Sequence, residues 1–275
     1  MLAELRKGSM ANYTTILVEE NETELGRILT ITLNRPQRRN ALTSAMIQEL
    51  TLALRVAEDS RCGIVVLRGA GEHFCSGLDL SELRAMVGRS MEQHRLDSMN
   101  IAELFRTLYN LSLPSIAEVR GAAIAGGMGM ATLCDFTLAS DDARFGYTEV
   151  RIGFVPAIVS AFLLLQVGEK QARDLLLTGR LIDAAEAHTL GLITKVVPAA
   201  ELDAAVTELS TTLLANSPSS MRATKHLLHR QEIERLSRNI RAAVHINAEL
   251  RNTDDFREGI SAFLEKRKPI WPSRC

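Results

Sequence analysis

The sequence predicts an α/β fold followed by an all-helical C-terminal region. Three observations carry this reading. Strand-like and helix-like runs alternate as far as Pro198. Residues 63–68 form a continuous apolar run, the pattern of a strand covered on both faces in a parallel sheet. From Ala200 onward every periodic segment is helical, with one break at Ser217 and Pro218. These place a core at residues 11–198 and a helical region at 199–275.

Taken in order, residues 13–19 alternate like a strand, 20–26 read as a turn, and 27–33 form a second strand, so the pair predicts a hairpin. Residues 34–40 are a polar loop. Thr43 or Ser44 caps a helix with Met46, Leu50, Leu54 and Ala57 on one face. After the 63–68 strand, a glycine-rich loop runs to Asp79 and helix 80–87 follows. Residues 88–93 read as a mobile polar stretch, and 101–111 as an amphipathic helix. Strand 115–120 leads into GAAIAGGMGMATLCD at 121–135, where Gly126 and Gly127 mark a turn into a buried helix. Strand 136–140, an extended piece at 143–146, an apolar helix after Pro156, helices at 171–177 and 183–190, and a strand at 191–197 complete the core.

A helix start offers unpaired N–H groups and the positive end of the backbone dipole. Glycine there admits a ligand close to the bare backbone. The stretch at Gly126 therefore suits a negative or developing negative oxygen. A glycine-packed core helix is the competing reading of the same residues.

Composition narrows the function classes. The 275 residues are 46% apolar and 24% charged, with a formal net charge of −1. Basic residues are interspersed with acidic ones, so no nucleic-acid partner and no membrane partner is expected. Cys62, Cys75, Cys134 and Cys275 are far apart in the sequence. Neither disulfides nor a metal site is expected, and a cytoplasmic, reducing location fits. Residues 1–10 lack the apolar stretch of a signal peptide, and their Gly8, Ser9 and Met10 are set aside from the fold.

Two glycine loops, CSGLD at 75–79 and AGGM at 125–128, each stand before a helix. Around them, in order, lie NRP at 34–36, RNAL at 39–42, FGYTEVRIG at 145–153, LTG at 177–179, VVP at 196–198 and DFREGISAFLEKRK at 255–268. This ordered set resembles the crotonase, or enoyl-CoA hydratase/isomerase, superfamily over nearly the whole chain. The resemblance implies a spiral of ββα repeats with a C-terminal helical trimerisation region. It implies an acyl-CoA thioester as partner, no separate cofactor because coenzyme A is part of the substrate, a homotrimer or dimer of trimers, and a place in fatty acid metabolism.

The resemblance also implies site residues. The N–H groups of Leu78 and Gly126 are expected to hold the thioester oxygen. Arg38, Arg39, Ala41, Ser76, Gly77, Asp79, Leu80, Gly127 and Gly129 are expected along the acyl-CoA. Phe263 and Lys266 resemble residues that reach a neighbouring subunit's nucleotide. Hydratases of this family use two glutamates; by register their positions are Gly129 and Glu149 here. One carboxylate is thus absent, and the pocket is expected to gain room at Gly129, with Asp97 or Glu92 as candidate replacements. Asp79 reads as a helix cap, Asp135 as structural, and His73 as a solvated loop residue. Enoyl-CoA hydratase is the leading expectation. Double-bond isomerase using Glu149 alone, thioester hydrolase, and a non-catalytic acyl-CoA-binding protein are the alternatives.

Overall fold

A computed structural model describes residues 13–273; the 1–10 segment and Cys275 lie outside the described residues. Strands β1 (Ile16–Thr23) and β2 (Gly26–Leu33) pair as an antiparallel hairpin. The hairpin turn is tighter than the sequence suggested, because β1 runs on to Thr23, whose hydroxyl donates to the Gly26 carbonyl. Helix α1 (Ser44–Glu58) begins at Thr43, whose hydroxyl accepts from Met46 N–H, a cap that contributes about 1 kcal/mol. Met46, Leu50, Leu54 and Ala57 are all buried, as their spacing required.

Strand β3 (Ile64–Gly69) lies parallel to β2 and to β4 (Ser115–Val119). The sheet continues through β6 (Phe136–Ser140) to β9 (Lys195–Val197), giving the order β1-β2-β3-β4-β6-β9. Alternate β3 side chains enter different cores. Val65 and Leu67 join the large core, whereas Ile64 and Val66 face helix α7 (Leu202–Leu214). A second sheet holds β5 (Ala122–Ile124), β7 (Arg144–Gly146) and β8 (Ile182–Asp183).

Helix α2 (Leu80–Met86) is followed by α3 (Met91–Tyr109). The polar stretch expected to be mobile at 88–93 is the start of α3. Ser90 and Gln93 form a reciprocal capping box, which consumes the polarity that read as loop. Helix α4 (Gly126–Leu133) follows β5 directly. Helix α5 (Ala157–Thr178) joins the two helices expected after Pro156, with a kink at Gly168 (φ 73°, ψ 172°). After the short α6 (Ala184–Thr189) only residues 195–197 of the predicted last strand pair with the sheet.

Helices α8 (Pro218–Leu250) and α9 (Asp254–Leu264) lean on the core. The Lys225 ammonium donates to the Asp135 carboxylate (2.5 Å) and the Leu113 carbonyl (2.8 Å). Asp135 also accepts from Ser115, so its role is structural. His229 of α8 stacks on Tyr109 of α3. Helix α9 packs on the 149–153 turn through Phe256, which meets Phe154.

Candidate active site

Register brings the two glycine loops together. Cys75 N–H donates to the Ala122 carbonyl, and Ile124 N–H donates to the Cys75 carbonyl. Leu78 and Gly126 each lie three residues beyond this bridged pair of Cys75 and Ala123. The loops stay in contact there: a Cβ on Gly77, whose φ is +90°, would lie 3.2 Å from the Ala125 Cβ.

The same pairing leaves the two amides free. Leu42 N–H donates to the Gly77 carbonyl and Asp79 N–H to the Leu42 carbonyl. A parallel bridge of this kind turns the N–H of the intervening Leu78 the other way. Gly126 is the first residue of α4, where no carbonyl lies one turn earlier in the helix. Among the described residues neither N–H has a backbone partner. Ala125 before it holds φ 52° and ψ −120°, a conformation that costs a residue with a side chain about 1–3 kcal/mol. That strain is maintained by the Ala125 N–H bond to the Gly146 carbonyl, and it aims the start of α4.

Both residues line one cavity of about 560 Å³. Its mouth carries Gln37, Arg38, Arg39 and Phe263, and its deeper wall includes Ile101, Phe105, Phe154 and Val159. Ala41, Ser76, Gly77, Asp79 and Leu80 line it as well. The arginine loop is set by Asn40, which is fully buried. Its carbonyl oxygen accepts from Arg35 N–H, and its amide donates to the Ala70 and His73 carbonyls at 2.9 and 2.7 Å. Arg39 and Asn40 both hold positive φ, and the Arg39 carbonyl accepts from Ser76 N–H. Asn40→Ala deletes three hydrogen bonds and strands two carbonyls. The expected loss is about 3 kcal/mol of unfolding free energy, read by denaturant titration.

Asp79 caps α2 through Ser81 and pairs with Arg35 at 2.8 Å. Burial alone would raise its pKa, but the Ser81 and Arg35 contacts outweigh it and hold the carboxyl below its ordinary value. It is therefore an anchored anion and not a proton shuttle. His73 is more committed than a solvated loop residue, because its ring Nδ1 accepts from Ala122 N–H.

Glu149 is a different kind of carboxylate. It opens the 3-10 turn Glu149–Ile152, faces the cavity, and is buried. Its Oε2 has no hydrogen-bond partner. Burial pushes its pKa up from 4.5 to about 7, only partly opposed by its own backbone N–H. A carboxyl poised near neutrality both accepts and returns protons at physiological pH. Helix α9 holds this turn by backbone contact: a Cβ on Gly259 would lie 2.3 Å from the Ile152 carbonyl group. Gly259→Ala is expected to displace the Glu149 turn and lower kcat far more than KM in steady-state assays.

The structure corrects the expectations for Gly127, Gly129, Asp97 and Glu92. Gly127 does not line the cavity; its missing side chain lets α4 approach the Cys75 carbonyl, which a Cβ would meet at 2.4 Å. Gly129 does not widen the pocket. Phe105 and Val159 fill its space, each 2.9 Å from where a Cβ would stand. Lys266, expected at a neighbouring subunit's nucleotide, is exposed beyond the end of α9. Phe263 lines the cavity of its own chain. Asp97 and Glu92 do not replace the missing acid: Asp97 pairs with Arg89 at 2.5 Å, and Glu92 is exposed at the start of α3.

Asn247 is a cavity residue that the sequence did not single out. It lies in the last turn of the polar helix α8, with no local motif to mark it. Only the packing of α8 against α3 and α5 brings it to the wall.

Comparison with known proteins agrees with this architecture. The sequence profile of the enoyl-CoA hydratase/isomerase family matches residues 23–274, and the chain belongs to that family. A Thermus thermophilus protein provisionally named an enoyl-CoA hydratase is 41% identical over 249 residues, covering 90% of this chain and 98% of its own. The crystal structure of an enoyl-CoA hydratase/isomerase from Xanthobacter autotrophicus superposes with a TM-score of 0.83 at 31% identity, covering 93% and 98% of the two chains. An enoyl-CoA hydratase from Mycobacterium avium subsp. paratuberculosis gives a TM-score of 0.83 at 27% identity, covering 94% and 99%. The fold is therefore that of the crotonase superfamily.

Proposed function

We propose that this chain is an acyl-CoA enzyme that hydrates 2-enoyl-CoA thioesters. The thioester oxygen is held by the Leu78 and Gly126 amides, and Glu149 is the proton carrier. The observation that carries this reading is a buried carboxyl with an unpartnered oxygen, Glu149, on the same cavity as two amides that lack a backbone partner. Adding water to the conjugated double bond places negative charge on the thioester oxygen. Each aimed amide contributes roughly 2.7–4 kcal/mol to stabilising it. Glu149, ionised, takes a proton from water as its oxygen bonds to the β carbon. It then delivers that proton to the α carbon, and the carboxylate is restored.

Coenzyme A is bound as part of the substrate, with no further cofactor. Its phosphates face Arg38 and Arg39 at the mouth, since guanidinium groups pair well with phosphate. Phe263 borders the same entrance. The homotrimer, or dimer of trimers, belongs to the same reading. Leu227 and Leu228 on α8 are 62% and 60% exposed, as a surface meant for another subunit requires. A reducing compartment such as the cytoplasm suits the free, buried thiols of Cys62, Cys75 and Cys134. Among the described residues no helix is long and apolar enough to cross a membrane.

A second reading, double-bond isomerisation, is favoured by one specific observation: Gly129 offers no second carboxylate and Phe105 closes its space. Moving a proton between two carbons needs one carrier. Crotonyl-CoA and a 3-enoyl-CoA separate the readings by the absorbance of the conjugated thioester. Loss with the first supports hydration; gain with the second, and no change with the first, supports isomerisation. No change with either contradicts both.

A further inference from the structure

The deep wall of the cavity carries one amide whose orientation is fixed from behind. Asn247 is 4% exposed and stands with Ile101, Phe154 and Val155 on that wall. Arg251 Nη2 lies 2.7 Å from one of its side-chain atoms. A guanidinium only donates, so that atom is the carbonyl oxygen Oδ1. Ser98 Oγ reaches the same oxygen at 2.7 Å. A serine hydroxyl donates or accepts, and this one also lies 2.8 Å from the His94 carbonyl, so it is the guanidinium that fixes the orientation. It puts Nδ2 on the opposite side, where it makes one long bond of 3.4 Å to the Val155 carbonyl. Val155 itself lines the cavity, and the second Nδ2 hydrogen has no partner among the described residues.

The group behind the amide adds positive charge. Arg251 is buried to 1% exposure, its guanidinium lies over the Phe154 ring, and its Nε has no partner. Its counter-ion Asp97 stands 3.4 Å away and is shared with Arg89, which is closer at 2.5 Å. Burial lowers the Arg251 pKa to about 10 against the pull of Asp97, so the group stays charged at neutral pH. A cation bonded to Oδ1 polarises the amide and strengthens its N–H as a donor. A purely hydrocarbon acyl chain would leave that buried donor unpaired, and would bind less tightly for it.

We propose that the acyl pocket selects thioesters whose chain carries a hydrogen-bond-accepting oxygen, received by Asn247 Nδ2, at a position remote from the thioester. This rests on the acyl-CoA reading of the cavity. Asn247 is then a specificity-determining residue, and Arg251 is the positioning residue that holds its amide the right way round.

The test is an affinity measurement, so that it does not depend on turnover. Isothermal titration of the Glu149→Gln protein compares paired 2-enoyl-CoAs of increasing chain length. Each pair differs only in a distal carbonyl oxygen replaced by a methylene group. The expected result is a preference of at least roughly tenfold for the carbonyl member at one chain length, the scale of one buried hydrogen bond. Asn247→Asp keeps an oxygen for Arg251 and Ser98 but turns the cavity-facing donor into an acceptor. It is expected to abolish or reverse that preference while leaving binding of coenzyme A alone unchanged. Equal affinities within every pair when Asn247 is intact, or an unchanged ratio in Asn247→Asp, overturn the proposal. Turnover of crotonyl-CoA by the unaltered protein reports separately on the proposed activity.

Discussion

Glu149→Gln is expected to lower kcat by roughly 10²- to 10⁴-fold, the scale of one general acid–base group, while acyl-CoA affinity is retained. Steady-state kinetics with crotonyl-CoA, paired with titration calorimetry, reads both. The unaltered protein should show a pH signature of the same group. With its pKa near 7, Glu149 must be ionised to activate water, so kcat/KM is expected to rise with pH up to about 7 and then level off. The variant should lose that limb.

The same residue links to stability with a definite sign. Folding raises the Glu149 pKa from 4.5 to about 7, so the folded chain binds the proton more tightly between those values. Stability contributed by this group is full below pH 4.5 and is lost as pH rises through about 7, a total of ~3 kcal/mol. Glu149→Gln carries no such penalty. It is expected to melt at a higher temperature than the unaltered protein at pH 8, with the gap closing as pH falls toward 5. An inactive protein that is also more heat-stable separates loss of chemistry from loss of fold.

Gly127→Ala is the second large effect expected, and it acts through geometry. The new Cβ would meet the Cys75 carbonyl oxygen at 2.4 Å and the Cys75 Cβ at 2.8 Å. Both belong to a strand-loop junction buried in the core, so α4 must move away from the first glycine loop. Separating the loops pulls the Leu78 and Gly126 amides out of register. A loss of roughly 10²- to 10³-fold in kcat is expected, similar to removing one oxyanion donor. Overpacking adds about 1–3 kcal/mol of destabilisation, measurable by thermal melting. Gly88→Ala is the matched control, since no atom lies within 4 Å of its added Cβ.

Much of this architecture is legible in the sequence, for local reasons. The short β-branched apolar run at 64–67 suits a strand covered on both faces, which is where it sits, and Thr43 and Asp79 mark helix starts by their capping chemistry. The motif around Glu149 marks that position, and its isolation in an apolar wall gives the position a physical basis. What the sequence does not show depends on contacts between distant segments. A polar stretch at 88–93 looks the same whether Ser90 and Gln93 face water or cap a helix. A glycine looks the same whether it opens space or admits a neighbour, and Gly129 admits Phe105 and Val159. Asn247 lies 149 residues from Ser98, so no short-range pattern joins them.

In the proposed enzyme a thioester oxygen sits between two main-chain amides with a single carboxyl beside the reacting carbons. A crystal structure of the Glu149→Gln protein with bound crotonyl-CoA tests it most directly. The carbonyl oxygen is expected about 2.7–3.1 Å from both Leu78 N and Gly126 N, with the substituted side chain at position 149 beside the α and β carbons. A thioester bound with its carbonyl on any other donor pair, or with those carbons out of reach of position 149, contradicts it.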